Sequence, residues 1–175
     1  SKIALLAAIS VVEAVKEIAG IDARIKWPND ILIRGQKVAG VLTEMEAELD
    51  KIHSLILGIG INANFGLNRF SSEIRGQVTT LRREFGKDIP RIALLAKILE
   101  RFEDGYIQLI GGESKFLLEK WRRLDEVVGK DIKAVTAEGT LVGRALGIDE
   151  HGALILQTES GEEKHLLAGE VTLAK

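Results

Sequence analysis

The chain has no cysteine and, among 175 residues, only three histidines, two prolines and one tyrosine. Without cysteine it can form no disulfide and no thiolate-ligated metal site, and His53, His151 and His165 are too scattered for zinc-ligand spacing. A metal, if one takes part, would be Mg²⁺ brought with a nucleotide. Long hydrophobic runs are also missing. The most apolar stretch, Ile3 to Val15, is broken by Ser10 and Glu13 and falls short of the ~20 residues that cross a bilayer, which argues against a membrane span. With 24 Lys+Arg against 26 Asp+Glu there is no basic field for nucleic acid. No secretory or transit signal is visible, which fits a cytoplasmic protein.

What is present is the composition of a soluble globule, 46% apolar and 29% charged, long enough for one medium domain or a domain with a small appendage. Leu5, Ala8, Ile9, Val12 and Val15 keep helical spacing, and Gly20 ends that helix. Because Ser1 is no initiator methionine and the pattern is already helical there, a fragment or processed product is expected. Arg24 to Trp27 alternates as a strand and Pro28-Asn29-Asp30 turns. Ile31 to Ile33 then joins Lys37 to Glu46 through Arg34-Gly35, a hairpin signal. His53 to Ile61 reads as a further strand after a turn at 49–51. Several strands after one helix predict an α+β fold with a mixed, mostly antiparallel sheet and packed helices.

Asn62 to Gln77 reads as a long loop and Thr80 to Phe85 as a short helix. Pro90 opens a long helix with a predicted apolar face of Ile92, Leu95, Ala96, Leu99, Phe102, Tyr106 and Leu109, and Ser114 to Leu124 forms another. After Asp125 the pattern changes to five short strand candidates, centred on Ile132, Val142, Leu154, Leu166 and Val171, which predict a small closed barrel. The boundary is placed there, giving domains 1–125 and 126–175. The first holds 19 Lys+Arg against 17 Asp+Glu and the second 5 against 9, so the larger part is compatible with anionic substrates.

Three groups of residues could carry chemistry. Pro28 cannot donate to a ladder, so the strand ends or bulges there, leaving Asn29 and Asp30 on a turn that either caps itself or faces a ligand. Lys37 follows a tight turn, and Ala39 and Gly40 leave little bulk beside it. It is either a solvated strand lysine or a ligand contact. Gly58-Ile59-Gly60 strips one face of a strand, against which a helix, a bulge or a flat ring could lie, with Asn62 at its edge. G-I-G-I-N-A is no dinucleotide fingerprint, since the third glycine and the following helix are absent.

Lys26-Trp-Pro-Asn-Asp30, Lys37-Val-Ala-Gly40 and Gly58-Ile-Gly-Ile-Asn62, in this order and spacing, resemble the blocks of the biotin protein ligases, and Ala168 to Leu173 resembles the close of that family's SH3-like domain. The resemblance implies a biotin ligase-like catalytic domain followed by an SH3-like barrel. It also implies ATP-dependent attachment of biotin to a lysine of a biotin carboxyl carrier protein through biotinyl-5′-AMP. It assigns Lys37, Lys26 and Asp30 to catalysis, Lys37, Gly40 and Asn29 to biotin and its adenylate, and Asn62, Gly58 and Gly60 to ATP and its adenine, with Asp30 as a candidate Mg²⁺ contact. A homodimer is compatible with it. The family's upstream Gly/Arg-rich loop does not occur in these residues, so weak biotin binding by residues 1–175 alone is expected. The rivals are a lipoyl or octanoyl ligase-type enzyme, disfavoured by the barrel and the Trp-Pro corner, and a non-catalytic partner-binding scaffold.

Overall fold

The computed structural model describes residues 2–48 and 51–173, with backbone alone at 47, 48, 51 and 52. Helix α1, Lys2–Ala19, is buried on nearly every side from Leu5 to Val15, because the sheet covers one face and two later helices cover the other. Its one polar residue in that stretch besides Glu13 is Ser10, whose hydroxyl donates to the Leu6 carbonyl at 2.8 Å. Gly20, at φ 69°, stops the helix as predicted and donates its N–H to the Lys16 carbonyl.

Strands β1 (Arg24–Lys26), β2 (Asp30–Ile33), β3 (Gln36–Glu48) and β4 (Lys51–Ile61) pair in that order, antiparallel throughout. The β2–β3 hairpin turns on Arg34 and Gly35, both at positive φ, the geometry that matches strand twist in a two-residue loop. Ile25, Ile31, Ala39 and Val41 face α1 and are buried. The expected turn at 49–51 has Leu49 and Asp50 outside the described residues. Among the described residues β4 pairs with β3 alone, so its other edge is open.

Residues 62–77 form the expected loop, with one 3₁₀ turn at Leu67–Arg69. Thr80 then caps α2 (Leu81–Phe85), accepting the Arg83 N–H on its hydroxyl. In α3 (Arg91–Ile110) the predicted buried face is corrected. Leu94, Ile98 and Gly105 are buried and Phe102 is partly covered, whereas Ile92 (86% exposed), Leu95 and Leu99 face solvent. The helix is apolar on more than one stripe, and Gly105 lies on the seam with α1: a Cβ there would meet the tip of the Leu6 side chain, which would have to turn aside for any larger residue. Helix α4 (Lys115–Leu124) buries Leu117 and Trp121.

The remaining strands are β5 (Asp131–Thr136), β6 (Gly139–Ile148), β7 (Leu154–Thr158), β8 (Glu163–Leu166) and β9 (Glu170–Leu173). They form a second antiparallel sheet in the order β8-β7-β6-β5-β9. All five strand candidates are present. The expected closure is not made by hydrogen bonds, since among the described residues no ladder joins β8 to β9. One hydrophobic cluster runs from α1 and the first sheet through Trp121 and Val127 into Ile132, Leu154 and Leu156. No helix among the described residues is long and apolar enough to cross a membrane.

Candidate active site

Lys26 and Asp30 are cross-strand partners where β1 meets β2, and the tight corner Trp27-Pro28-Asn29, with a cis Trp27-Pro28 peptide, joins them. Asn29 takes the place of a strand residue. Its carbonyl accepts the Val41 N–H at 2.9 Å and its side-chain amide donates to the Val41 carbonyl at 2.6 Å. Trp27 is 1% exposed and donates its indole N–H to the Gly152 carbonyl of the second sheet at 3.0 Å.

Asp30 pairs with Gly40 across β2 and β3, and this register brings the two sequence blocks together. The Lys37 ammonium lies 2.5 Å from Asp30 Oδ1 and the Lys26 ammonium 3.5 Å from Asp30 Oδ2. Gly40 is bare because the Lys37 chain crosses it: a Cβ there would stand 3.3 Å from Lys37 Cε and 3.7 Å from Asp30 Oδ1. The aspartate side chain is 17% exposed, Lys37 45%. Two ammonium groups on one carboxylate leave the cluster cationic, held in place yet open to solvent, which suits an incoming anion.

Asp30 fits that role better than metal binding. Both its oxygens face ammonium groups, and no group of three or more His, Asp or Glu able to hold a metal occurs among the described residues. A Mg²⁺ brought with a nucleotide would need only one carboxylate beside the phosphate oxygens, and Asp30 would meet it by giving up an ammonium contact.

Beside this cluster lies the glycine strip. Gly40 pairs with Gly60 and Leu42 with Gly58, so on one face of β3 and β4 three of four paired positions carry no side chain, Leu42 being the fourth. A Cβ on Gly60 would meet nothing within 4 Å, and one on Gly58 would make only ordinary contact with Leu42, so a flat group has room to lie on the backbone there. Asn62, at the end of β4, donates its amide to the carbonyls of Thr79 (3.1 Å) and Lys37 (3.4 Å). It thereby fastens the loop after β4 to the strand carrying Lys37, and its side-chain carbonyl is left for other partners.

The structure brings Lys26, Asn29, Asp30, Lys37, Gly40, Gly58, Gly60 and Asn62 onto one end and one face of the first sheet. It also adds groups that the sequence reading missed. A cavity of about 210 Å³ between the corner and the second sheet is lined by Lys26, Pro28, Asp30, Lys37, Gly169 and Glu170. Glu170 sits in the Ala168 to Leu173 block, but nothing in its local pattern places it opposite Lys26. Thr79 reaches Lys37 through a short parallel bridge, Lys37 to Val78, that only the return of the 62–77 loop creates.

Two family models match. Residues 2–62 match the biotin/lipoate A/B protein ligase family, and residues 127–173 match the biotin protein ligase C-terminal domain. The chain is 42% identical over 163 residues to the bifunctional ligase/repressor BirA of Bacillus subtilis, covering 93% of this chain and 50% of that protein. To BirA of Escherichia coli it is 26% identical, over 98% of this chain and 52% of that protein. It thus spans about half the length of these curated relatives. The crystal structure of the biotin protein ligase from Aquifex aeolicus superposes with a TM-score of 0.85 at 34% identity, covering 99% of this chain and 74% of that one. The same enzyme in complex with biotin and ATP gives 0.82 at 33% identity, covering 99% and 71%. With both family models matched and a solved biotin protein ligase at 34% identity covered over 74% of its length, the chain belongs to the biotin protein ligase family.

Proposed function

We propose that these residues form much of the active site of an ATP-dependent biotin ligase, with residues 1–125 as the catalytic domain and 126–175 as an SH3-like domain. The observation that carries the reading is the cationic Lys26–Asp30–Lys37 cluster at the end of a glycine strip. In the first step a biotin carboxylate oxygen attacks the α-phosphorus of ATP. The bond from that phosphorus to the β-phosphate bridging oxygen breaks, and pyrophosphate leaves. Two anions must meet for this. The Lys37 ammonium offsets their repulsion, at a position fixed by Asp30, and Lys26 lies toward the phosphates. The biotin end lies toward Gly40 and Asn29, and the adenine lies against Gly58 and Gly60 with its edge at Asn62, whose side-chain carbonyl accepts from the exocyclic amine. A Mg²⁺ brought with the nucleotide would offset phosphate charge, with Asp30 as a nearby carboxylate that could reach it.

In the second step the amine of a carrier-protein lysine attacks the biotinyl carbonyl and AMP leaves. The mixed anhydride is already activated, so no covalent enzyme intermediate is needed. The partner is a biotin carboxyl carrier domain, and a cytoplasmic site of action follows from that substrate.

The test is pyrophosphate release and biotinyl-adenylate accumulation from biotin and Mg-ATP by the natural full-length protein, run in parallel with lipoate. Adenylation of biotin is expected. Adenylation of lipoate in its place would move the protein to the acyl-ligase branch that the first family model also covers, and reaction with neither would sink the ligase reading.

A further inference from the structure

Trp27 touches the second sheet through a turn that a single carboxylate builds. Asp149 Oδ1 accepts the N–H groups of His151 (2.9 Å) and Ala153 (3.0 Å), while Oδ2 meets His165 Nδ1 at 2.9 Å. The Asp149 backbone N–H donates to the Ala153 carbonyl and its carbonyl accepts the Gly152 N–H. The turn from 149 to 153 is therefore closed on itself, and it presents the Gly152 carbonyl to the Trp27 indole across 125 positions of sequence. Gly152, Trp27, Pro28, Asn29 and Val41 also line one cavity of about 210 Å³.

The indole matters because of what it adjoins. Lys26 is its immediate neighbour, and Asn29 and Asp30 complete the same corner. Asn29 ties the corner to Val41 of the first sheet through its carbonyl and its side-chain amide, and the Trp27 indole supplies its tie to the second sheet. An indole ring only 1% exposed and hydrogen-bonded at its tip helps fix where the corner sits, and so where the Lys26 and Asp30 side chains stand.

We propose that the Asp149 turn is a positioning element for the Lys26–Asp30–Lys37 cluster, acting through the Gly152 carbonyl and the Trp27 indole. Asp149 touches no substrate: it holds the turn, the turn holds the indole, and the indole holds the corner. The SH3-like domain then shapes the phosphate end of the site rather than merely adjoining it. The kinetic half of this inference rests on the ligase reading above; the structural half does not.

The experiment uses the natural full-length protein carrying Asp149→Ala, Asp149→Asn, Trp27→Phe and the Asp149→Ala/Trp27→Phe double change. Asp149→Ala removes the brace. Asp149→Asn keeps an oxygen for the two backbone N–H groups, and Trp27→Phe keeps the ring bulk without the donor. Adenylation kinetics are expected to show KM for ATP raised on the order of tenfold in Asp149→Ala and in Trp27→Phe, with KM for biotin moved far less. Asp149→Asn should stay near wild type, and the double variant should be no worse than the worse single one, since both changes cut the same chain of contacts. The indole N–H resonance that disappears in Trp27→Phe identifies Trp27, and its hydrogen exchange should quicken in Asp149→Ala.

Additive losses in the double variant would overturn the proposal. So would a lowered melting temperature with no split between the two KM values, or an indole that stays protected in Asp149→Ala. Should the wild-type protein form no adenylate, the ligase reading fails by itself. Indole exchange then decides the clamp: faster exchange in Asp149→Ala upholds it, and unchanged exchange removes it.

Discussion

Lys37 stands where charge must be offset and where little structure depends on it. Its side chain is 45% exposed and its stem crosses a glycine, so Lys37→Ala should leave the melting temperature near wild type. Adenylate formation should fall on the order of a hundredfold, the scale of one lost stabilising donor at a reacting oxyanion. Single-turnover adenylation in the full-length protein checks this, and an unchanged rate would remove Lys37 from the chemistry. Gly60 gives the complementary test. The space above it is open, so Gly60→Val should fold normally and lose ATP binding by calorimetry. Normal binding would mean that the ligand lies elsewhere. In the sequence both residues were candidates with a bland alternative. The ion pair with Asp30 and the bare strip are products of register and could not be read from spacing.

At the scale of elements, the segment linking α4 to β5 holds a carboxylate under tension between burial and capping. Burial pushes the Asp125 carboxyl up, against the N–H groups of Val128, Val127 and Glu126, which favour the ionised form. Its Oδ2 accepts Val127 and Val128 at 3.0 and 2.5 Å, while Oδ1 is buried without a partner among the described residues. A folded-state pKa above the unfolded value means that the folded chain holds the proton more tightly. This group therefore favours the fold as pH falls through the folded pKa and detracts from it at higher pH. Asp125→Asn keeps one capping oxygen and removes the charge. Its melting temperature should exceed wild type at pH 8, and the gain should vanish at acid pH. A gain that persists unchanged into acid would show that the buried charge is not the cause. Gly143 is a second element-scale constraint: a Cβ there would collide with the Gln157 backbone carbonyl of the paired strand. Gly143→Ala should force β6 and β7 apart and cost on the order of 1–3 kcal/mol, measured by denaturant unfolding. A cost near zero would mean that the strands can part freely.

Across the whole molecule the two sheets share one hydrophobic cluster, and Trp27 and Trp121 both lie within it. Heating should therefore give one transition, with tryptophan emission and far-ultraviolet dichroism coincident. Separate midpoints would show that the second sheet unfolds independently. Acid adds a sign. Burial opposes ionisation of Asp149, but the His165 ring and the N–H groups of Ala153 and His151 outweigh it and hold the carboxyl below the usual range. A lowered folded pKa contributes stability above the unfolded value and loses it as pH falls through the folded one. The 149–153 turn is thus a point where acid loosens the contact with Trp27.

Local chemistry was enough to determine much of this protein from sequence. Gly20 ends a helix, Arg34-Gly35 makes a hairpin, Thr80 caps and five short runs make strands, because each depends on residues within a few positions. The three blocks and their order carried the family. Tertiary structure alone decided which stripe of α3 is buried, since a helix apolar on two sides offers two seams and only the packing against α1 selects one. It likewise decided that Asp30 lies between Lys26 and Lys37, that Thr79 fastens the Lys37 strand, and that Gly152 meets Trp27. These contacts join residues whose separation in the chain bears no relation to their separation in space.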